Sequence, residues 1–404
     1  MSGTDAVEAQ RQSLRFLWLY ALAAAGGAVS YVPFLTLLLP VRVDEMSLNA
    51  AATIESLGYI AFAGAIAASL ANITFGWLSD LTKVRRPWII AGLLLSCILL
   101  VTVRRVDELP QLVTLIVCWQ LALNMMLAPL SAWAGDLVPD AQKGFLGGLL
   151  SFAPAVGAAS GAIVTLPGLA DADTRLVIVA VMVAIMVLPV LLFGRPRTMP
   201  HLLPGKAVTR AEPSGALASK RGAVTRMWLA RLLIQIAEAL MFAYLLIWLT
   251  GIAPDVTDSD TARIFALVLL LSVPTALIAG RWSDRSDRPI LPLALGAGIG
   301  ALGLVIMGLA QSLPGAILGY MIFGLSSSVF LALHSSQTLR VLPKPETRGR
   351  DLGFFNLTNT VPSLIMPWLT IVLVPVFGFA GVFFVLAGLA ILATGLLITM
   401  PRTN

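Results

Sequence analysis

Twelve apolar runs, from 16 to 29 residues long, dominate this chain and leave few folds open to it. A helix needs roughly 20 apolar residues to cross about 30 Å of hydrocarbon. The runs fall at 16–39, 50–78, 88–103, 111–133, 145–166 and 176–193. A second set falls at 227–251, 264–280, 290–309, 314–339, 352–377 and 381–400. In lipid, isolated strands would leave backbone groups unpaired, so each run is expected to be helical. Composition agrees: 58% of the 404 residues are hydrophobic and 12% are charged, where a soluble domain carries about 25% charged residues. The expectation is an all-α integral membrane protein of about twelve transmembrane helices, with the lipid bilayer as its solvent. The polar stretch 1–13 is followed directly by a long apolar run with no small-residue cleavage site, so no cleaved leader is expected.

The chain divides into a first six-helix bundle (1–194), a cytoplasmic linker (195–225) and a second six-helix bundle (226–404). The linker expectation rests on Pro196, Pro200, Pro204, Gly205, Pro213, Gly215 and Gly222 among basic residues. Orientation follows from Lys and Arg. Of 27 such residues, only Arg42, Arg104, Arg105, Arg175 and Arg263 fall in outer segments if both termini are cytoplasmic. Arg231 lies inside a span, and all the others face inward. The expected location is therefore the cell (inner) membrane with both termini in the cytoplasm. The net charge of +6 sits in these loops and is not a nucleic-acid patch. Cys97 and Cys118 lie within apolar runs without ligand neighbours, so neither a disulfide framework nor a metal site is expected. Gly298-Ile299-Gly300-Ala301-Leu302-Gly303 spells a dinucleotide fingerprint. It lies mid-span without a preceding strand, and close helix packing explains it better. With no ATP-binding loop either, no cofactor and no enzymatic chemistry are expected.

Two loops repeat at one offset. Gly76-Trp77-Leu78-Ser79-Asp80 ends the second run, and Gly280-Arg281-Trp282-Ser283-Asp284 ends the eighth, 204 residues later. Arg86-Pro87 follows the first and Arg288-Pro289 the second. Pro139, in the loop ending Lys143-Gly144, and Pro343, in the loop ending Arg348-Gly349, are also 204 residues apart. Two loops at one offset imply duplication of a six-span unit, and repeats about a midplane site are a transporter architecture.

These motifs resemble the two cytoplasmic signatures of the major facilitator superfamily, and the resemblance covers nearly the whole chain. It implies that fold and secondary transport of a small molecule by alternating access. A finer similarity, to the sucrose and glycoside symporter-like branch, lies in Ser79-Asp80 through Arg85-Arg86-Pro87-Trp88, Gln120 to Asn124, Asp136-Leu137-Val138-Pro139, and Asp351-Leu352-Gly353 to Asn356. That branch usually reads Gly-Arg-Arg-Arg-Pro where this chain has Lys83-Val84-Arg85-Arg86-Pro87. The finer similarity implies a proton-coupled sugar or glycoside symporter; the chain is further expected to act as a monomer. The alternative is a proton-driven exporter of amphipathic molecules, which would show a more aromatic, Met-rich cavity with a central acid; Met125, Met126 and Met241 leave that open.

Asp80 and Asp284 each stand at a helix C-terminus, where the dipole disfavours an acid. Arg85 with Arg86, and Arg285 with Arg288, are the local compensators, and Asp136 is a further acid nearby. One reading is a conformational latch built from these residues with Gly76 and Gly280. The other is topology determination with ordinary solvated pairs. Within the spans, ionisable residues are functional candidates by default. Arg231, Gln235 and Glu238 share a helix face at i, i+4 and i+7, with Gln235 placed to bridge the other two. Glu238 and Glu55 are candidates for proton coupling; Arg231 is expected to snorkel toward the inner interface. Sugar recognition wants amides, hydroxyls and aromatic faces. Tyr20, Tyr31, Trp119, Gln120, Asn124, Gln235, Tyr244, Asn356 and Asn359 supply them, Trp248 adds a further ring, and helix-to-helix hydrogen bonding is the competing role. His334 and Gln337 are read mainly as packing groups.

Overall fold

In the computed structural model the apolar runs are helices throughout, and small local signals set their ends. The structure describes residues 11–46, 50–166, 168–199, 202, 214–256, 258–286, 289–342 and 345–400. Helix α1 (Leu14–Pro33) opens on Ser13, whose hydroxyl accepts the Phe16 N–H at 3.2 Å. Just upstream, Gln12 donates to the Leu137 and Arg197 carbonyls, each at 3.0 Å, and so fastens the chain before the first span. A π turn, Phe34–Leu38, follows and leads into α2 (Leu39–Met46). Pro40 has no N–H, and its ring would collide with the Thr36 carbonyl in a continuous α-helix; one extra residue in the turn relieves this.

The first sequence half continues with α3 (Ala50–Thr82), α4 (Arg86–Thr102), α5 (Leu109–Leu137), α6 (Asp140–Leu150), α7 (Phe152–Val164) and α8 (Ala172–Phe193). Helices α6 and α7 correspond to one apolar run. They part at Ser151 because Pro154 offers no N–H to the Leu150 carbonyl. Helix α8 is capped by Asp171, which accepts the Thr174 N–H at 3.0 Å. The second half has α9 (Ser214–Ile252), α10 (Asp258–Arg285), α11 (Leu291–Leu309), α12 (Leu313–Val341) and α13 (Arg348–Ile398). Helix α9 begins at Ser214, so its first turns take up the last part of the stretch read as a flexible linker; 203–213 lie outside the described residues. Two runs merge in α13 and are separated only at Gly378, with φ 62° and ψ −173°. A Cβ there would meet nothing within 4 Å, so the glycine is needed for its backbone angle and not for space.

Among the described residues, ten helices are long and apolar enough to cross a membrane; an eleventh results if the bent pair Gly222–Met241 and Ala243–Ile252 counts as one span. The chain is an all-α, multi-pass membrane protein. It forms two compact units. The first contains Met1–Pro139, Phe152–Lys206 and Lys344–Asn356; the second contains Asp140–Ser151, Ala207–Pro343 and Leu357–Asn404. Thus α6 belongs with the second unit, and the first turns of α13 belong with the first.

Phe16, Phe34, Ile116 and Trp119 are fully buried in the first unit, and Phe323, Phe330 and Phe383 in the second. Leu70, Ile98, Ile185, Leu270, Ile278 and Val376 are exposed, an apolar exterior that suits lipid. Where backbones meet, small residues are required. A Cβ on Gly92 would stand 2.4 Å from the Met126 nitrogen, and one on Gly303 2.6 Å from the Phe323 nitrogen. Of the three glycines in the fingerprint-like run, Gly303 makes the tight contact; Gly298 and Gly300 have neighbours at an ordinary 3.7 Å.

Candidate functional site

The repeated loops build one clasp in each unit. In the first unit, Asp80 ends α3, and both its carboxylate oxygens accept backbone N–H groups from the first turn of α13. Gly349 and Arg350 each donate at 2.9 Å. An acid disfavoured at one helix's C-terminus is thereby matched to another helix's N-terminus. The Arg85 guanidinium sits at 2.7 Å from Asp80 and 2.9 Å from Asp136, and donates to the Ser79 hydroxyl at 2.6 Å. Arg348 pairs with the other oxygen of Asp136 at 2.7 Å. Burial opposes the charge on Arg85, but the carboxylates of Asp136 and Asp80 more than offset it and raise its pKa above the ordinary arginine value. Arg86 takes no part, since its guanidinium goes to the Leu191 carbonyl.

In the second unit, Asp284 ends α10 and accepts the N–H groups of Gly144 and Phe145 in α6, each at 2.7 Å. Its cation is Arg340, at 2.8 Å, and not the local arginines. Arg285 is exposed and makes no ion pair among the described residues, while Arg288 lies outside them. The exchange follows from the repeat. Arg340 stands 204 residues after Asp136, so the position that carries an acid in one clasp carries the base in the other. Lys143, nearly fully buried, pairs with Asp140 at 2.6 Å and donates to the Leu339 carbonyl at 3.0 Å.

The motif glycines make the clasps close enough to form. A Cβ on Gly76 would lie 2.2 Å from the Gly349 carbonyl oxygen, and one on Gly349 2.3 Å from that of Gly76. Gly144 and Gly280 oppose each other in the same way, at 2.2 and 2.1 Å. Both partners are backbone and cannot yield as a side chain would. Overpacking of this kind costs about 1–3 kcal/mol. Gly76→Ala and Gly349→Ala are therefore each expected to insert normally and to lower the initial transport rate by about tenfold. Wild-type rates in both variants would show that the close approach is dispensable.

A second polar group lies within the spans of the second unit. Arg231, on α9, donates through Nη1 to the Ser335 hydroxyl at 3.0 Å and through Nη2 to the Asn359 side-chain oxygen at 3.2 Å. Its Nη1 is also 3.4 Å from Nδ1 of His334. These contacts overturn the expectation of a snorkelling side chain: polar partners from α12 and α13 hold it in place. Gln235 donates to the same Asn359 oxygen at 2.7 Å, so it reaches Asn359 and does not bridge to Glu238. Glu238 is half-buried, with Ser327 in hydrogen-bonding reach, but its Oε2 is enclosed and has no hydrogen-bond partner. No ion pair within 4.0 Å joins Glu238 to Arg231 among the described residues. His334 is fully buried, with Nε2 at 2.9 Å from the Met227 carbonyl. That contact requires a proton on Nε2, which leaves Nδ1 as the acceptor facing Arg231.

The first unit holds a smaller polar contact that sequence reading missed. Asn72 donates to the Asn124 side-chain oxygen at 2.9 Å, and Asn124 donates to the Gln120 carbonyl at 2.9 Å. Tyr20 is buried, and its hydroxyl donates to the Leu130 carbonyl at 3.1 Å. Trp119 is fully buried edge-on to Phe34, with ring centroids 4.9 Å apart. Gln120 and Asn356 are half-buried, and Tyr31 is exposed. Tyr244 is half-buried beside Phe379, and Trp248 packs edge-on to Phe383. Thus Arg231, Gln235, Asn359 and His334 come together, as do Gln120, Asn124 and Asn72, while Tyr20 and Trp119 sit in helix packing. The Glu55 side chain lies outside the described residues. Met125, Met126 and Met241 are all buried in packing.

The profile of the Major Facilitator Superfamily matches residues 17–330 and, in a second alignment, 227–404. No curated protein matches at a significant level. Several solved structures share the fold at low identity. The E. coli fucose:proton symporter FucP has a TM-score of 0.73 at 15% identity, covering 96% of this chain and 98% of that one. The proton:xylose symporter XylE has a TM-score of 0.73 at 13% identity, covering 97% of each chain. The human organic anion transporter MFSD10 has a TM-score of 0.73 at 16% identity, covering 95% of this chain and 99% of that one.

Proposed function

The chain belongs to the major facilitator superfamily, whose members are membrane transporters and not enzymes, and on that premise we propose that it is a proton-coupled symporter of a small sugar or glycoside. The observation that carries the reading is Glu238. A membrane-embedded carboxylate with an enclosed, partnerless oxygen is costly if permanently charged. Alternate loading and release of a proton gives it a use. Gln235 and Asn359, joined in the second unit, are amides of the kind that ring hydroxyls need. Two proteins that share the fold are sugar:proton symporters, so the fold is compatible with that solute class. The exporter alternative has less behind it, because Met125, Met126 and Met241 are packed away. The test is uptake of labelled sugars and glycosides into proteoliposomes with and without a pH gradient. Accumulation only with the gradient supports the reading. Gradient-independent entry of every sugar, or entry of none, overturns it.

We also read the protein as lying in the cell inner membrane with both termini cytoplasmic, from the Lys and Arg distribution. In a background with Cys97 and Cys118 replaced by Ser, a cysteine at the exposed position Asp107 is expected to react with an impermeant thiol reagent in intact cells. One at the exposed position Val84 is expected to react only after permeabilisation. The reverse pattern would overturn the orientation.

A further inference from the structure

A cavity at the end of the first unit remote from its clasp has apolar walls and arginines beside them. We propose that it seats an anionic phospholipid, with the phosphate against Arg104 and Arg175 and part of an acyl chain between the helices. The proposal is independent of the solute and of the coupling proton.

Helix α4 starts at the clasp, directly after Arg85, and its 17 residues carry the chain about 25 Å toward the opposite end. A 3-10 turn, Val103–Arg105, follows it there. This turn, the π turn Phe34–Leu38, α2 and the start of α8 wall a cavity of about 160 Å³. Phe34, Leu38, Val103 and Leu176 make the walls apolar. π turns within helices frequently mark functional sites, and three of the five residues of this one line the cavity. A dry cavity of about 150 Å³ takes a benzene-sized apolar group, so a phospholipid places part of one chain here and leaves the rest in the bilayer. Leu37 and Val41 belong to the lining and are themselves exposed, so the apolar wall continues onto the apolar exterior of the bundle.

The charges around the cavity are unevenly committed. Arg42 is engaged: it pairs with Glu45 at 3.2 Å and Asp107 at 3.0 Å, and donates to the Val106 carbonyl at 2.9 Å. Glu45, one acid of the lining, is matched by the same contact. Arg104 makes no ion pair among the described residues. Arg175 spends Nε on the Ala170 carbonyl at 3.1 Å, which steadies the guanidinium and leaves its terminal N–H groups for a ligand. Its charge acts on Asp171, but that carboxylate is exposed and already accepts the Thr174 N–H at 3.0 Å. Asp173, the other acid of the lining, is exposed and screened by water. Guanidinium groups suit phosphate oxygens, and basic pockets between transmembrane helices bind anionic lipid headgroups. A zwitterionic headgroup brings its own cation and gains less. A soluble anion gains the arginines but not the apolar wall, and that wall selects a lipid.

The test titrates full-length protein, stripped of lipid in detergent, with dioleoylphosphatidylglycerol or dioleoylphosphatidylcholine and counts bound lipid by native mass spectrometry. The wild type is expected to bind its first phosphatidylglycerol at least about tenfold more tightly than phosphatidylcholine. Arg104→Gln should weaken phosphatidylglycerol about fivefold, and Arg104→Gln with Arg175→Gln should bind the two lipids alike. Arg105 is the next residue, exposed and off the cavity wall, so Arg105→Gln should keep the full preference. No preference in the wild type overturns the proposal, as does one that survives the double substitution or falls as far in Arg105→Gln. Displacement of phosphatidylglycerol by an equimolar amount of inorganic phosphate also overturns it, because the ligand is then a free anion. Should the double variant fail to elute as a single folded species, the single variants decide: a loss in Arg104→Gln alone supports the site, and equal losses in Arg104→Gln and Arg105→Gln overturn it.

Discussion

Asp80→Asn and Asp284→Asn are each expected to reach the membrane in normal amounts and to transport at least about tenfold more slowly, with Asp284→Asn the more damaged. Each carboxylate accepts two backbone N–H groups and one guanidinium. Asparagine keeps one oxygen. It turns its amide N–H₂ toward a backbone N–H that needs an acceptor, and it surrenders the ion pair. A hydrogen bond to a charged group contributes about 1.5–3 kcal/mol, and 1.36 kcal/mol is a factor of ten in rate. The order of the two effects comes from the third acid. In the first unit Asp136 still holds Arg85 and Arg348 when Asp80 is neutral. In the second unit Asp284 is the acid that pairs with Arg340 among the described residues, so its loss leaves a largely buried guanidinium without its carboxylate. Initial uptake rates, normalised to protein in the membrane, give the readout. Wild-type rates in both variants would remove the clasps from the transport cycle and leave them as determinants of topology.

Glu238→Gln has the other large effect. The substitution preserves shape and cannot titrate. If Glu238 carries the coupling proton, the variant loses gradient-driven accumulation entirely while still exchanging labelled for unlabelled solute across the membrane. The split between the two assays distinguishes proton coupling from a structural part. A carboxylate needed only to join α9 to Ser327 would affect both alike, or neither. Accumulation against a gradient with unchanged pH dependence would contradict the assignment, and Glu55 would then be the acid to examine.

The spans and the clasps were open to sequence reading for different reasons. Apolar runs report their own environment, because lipid tolerates little else. Asp80 with Asp284, and Gly76 with Gly280, announced themselves by repeating at one offset. Their partners did not. Arg348 reaches Asp136 across 212 residues, and no local spacing encodes that; nearby Arg86, Arg285 and Arg288 attracted the assignment instead. The 204-residue offset, carried one step further, would have set Arg340 opposite Asp136 and exposed the exchange of charge. The polar set in the spans was legible only in part. Residue type marked Asn124, Gln235 and Asn359, but helical periodicity could not say which of them touch. Nor could it single out Asn72, one amide among many polar residues. Arg231 was misjudged because its height near a helix end suggested an escape to the interface, whereas α12 and α13 bring acceptors to it.

Proton movement by the wild-type protein tests the central claim most directly. Proteoliposomes are suspended in weakly buffered medium without any imposed gradient, and solute is added outside while external pH is recorded. Symport predicts a solute-dependent alkalinisation of the medium that a protonophore abolishes and that Glu238→Gln does not show. Solute entry with no pH change would contradict the account, and acidification would indicate exchange of solute for protons, the signature of an exporter.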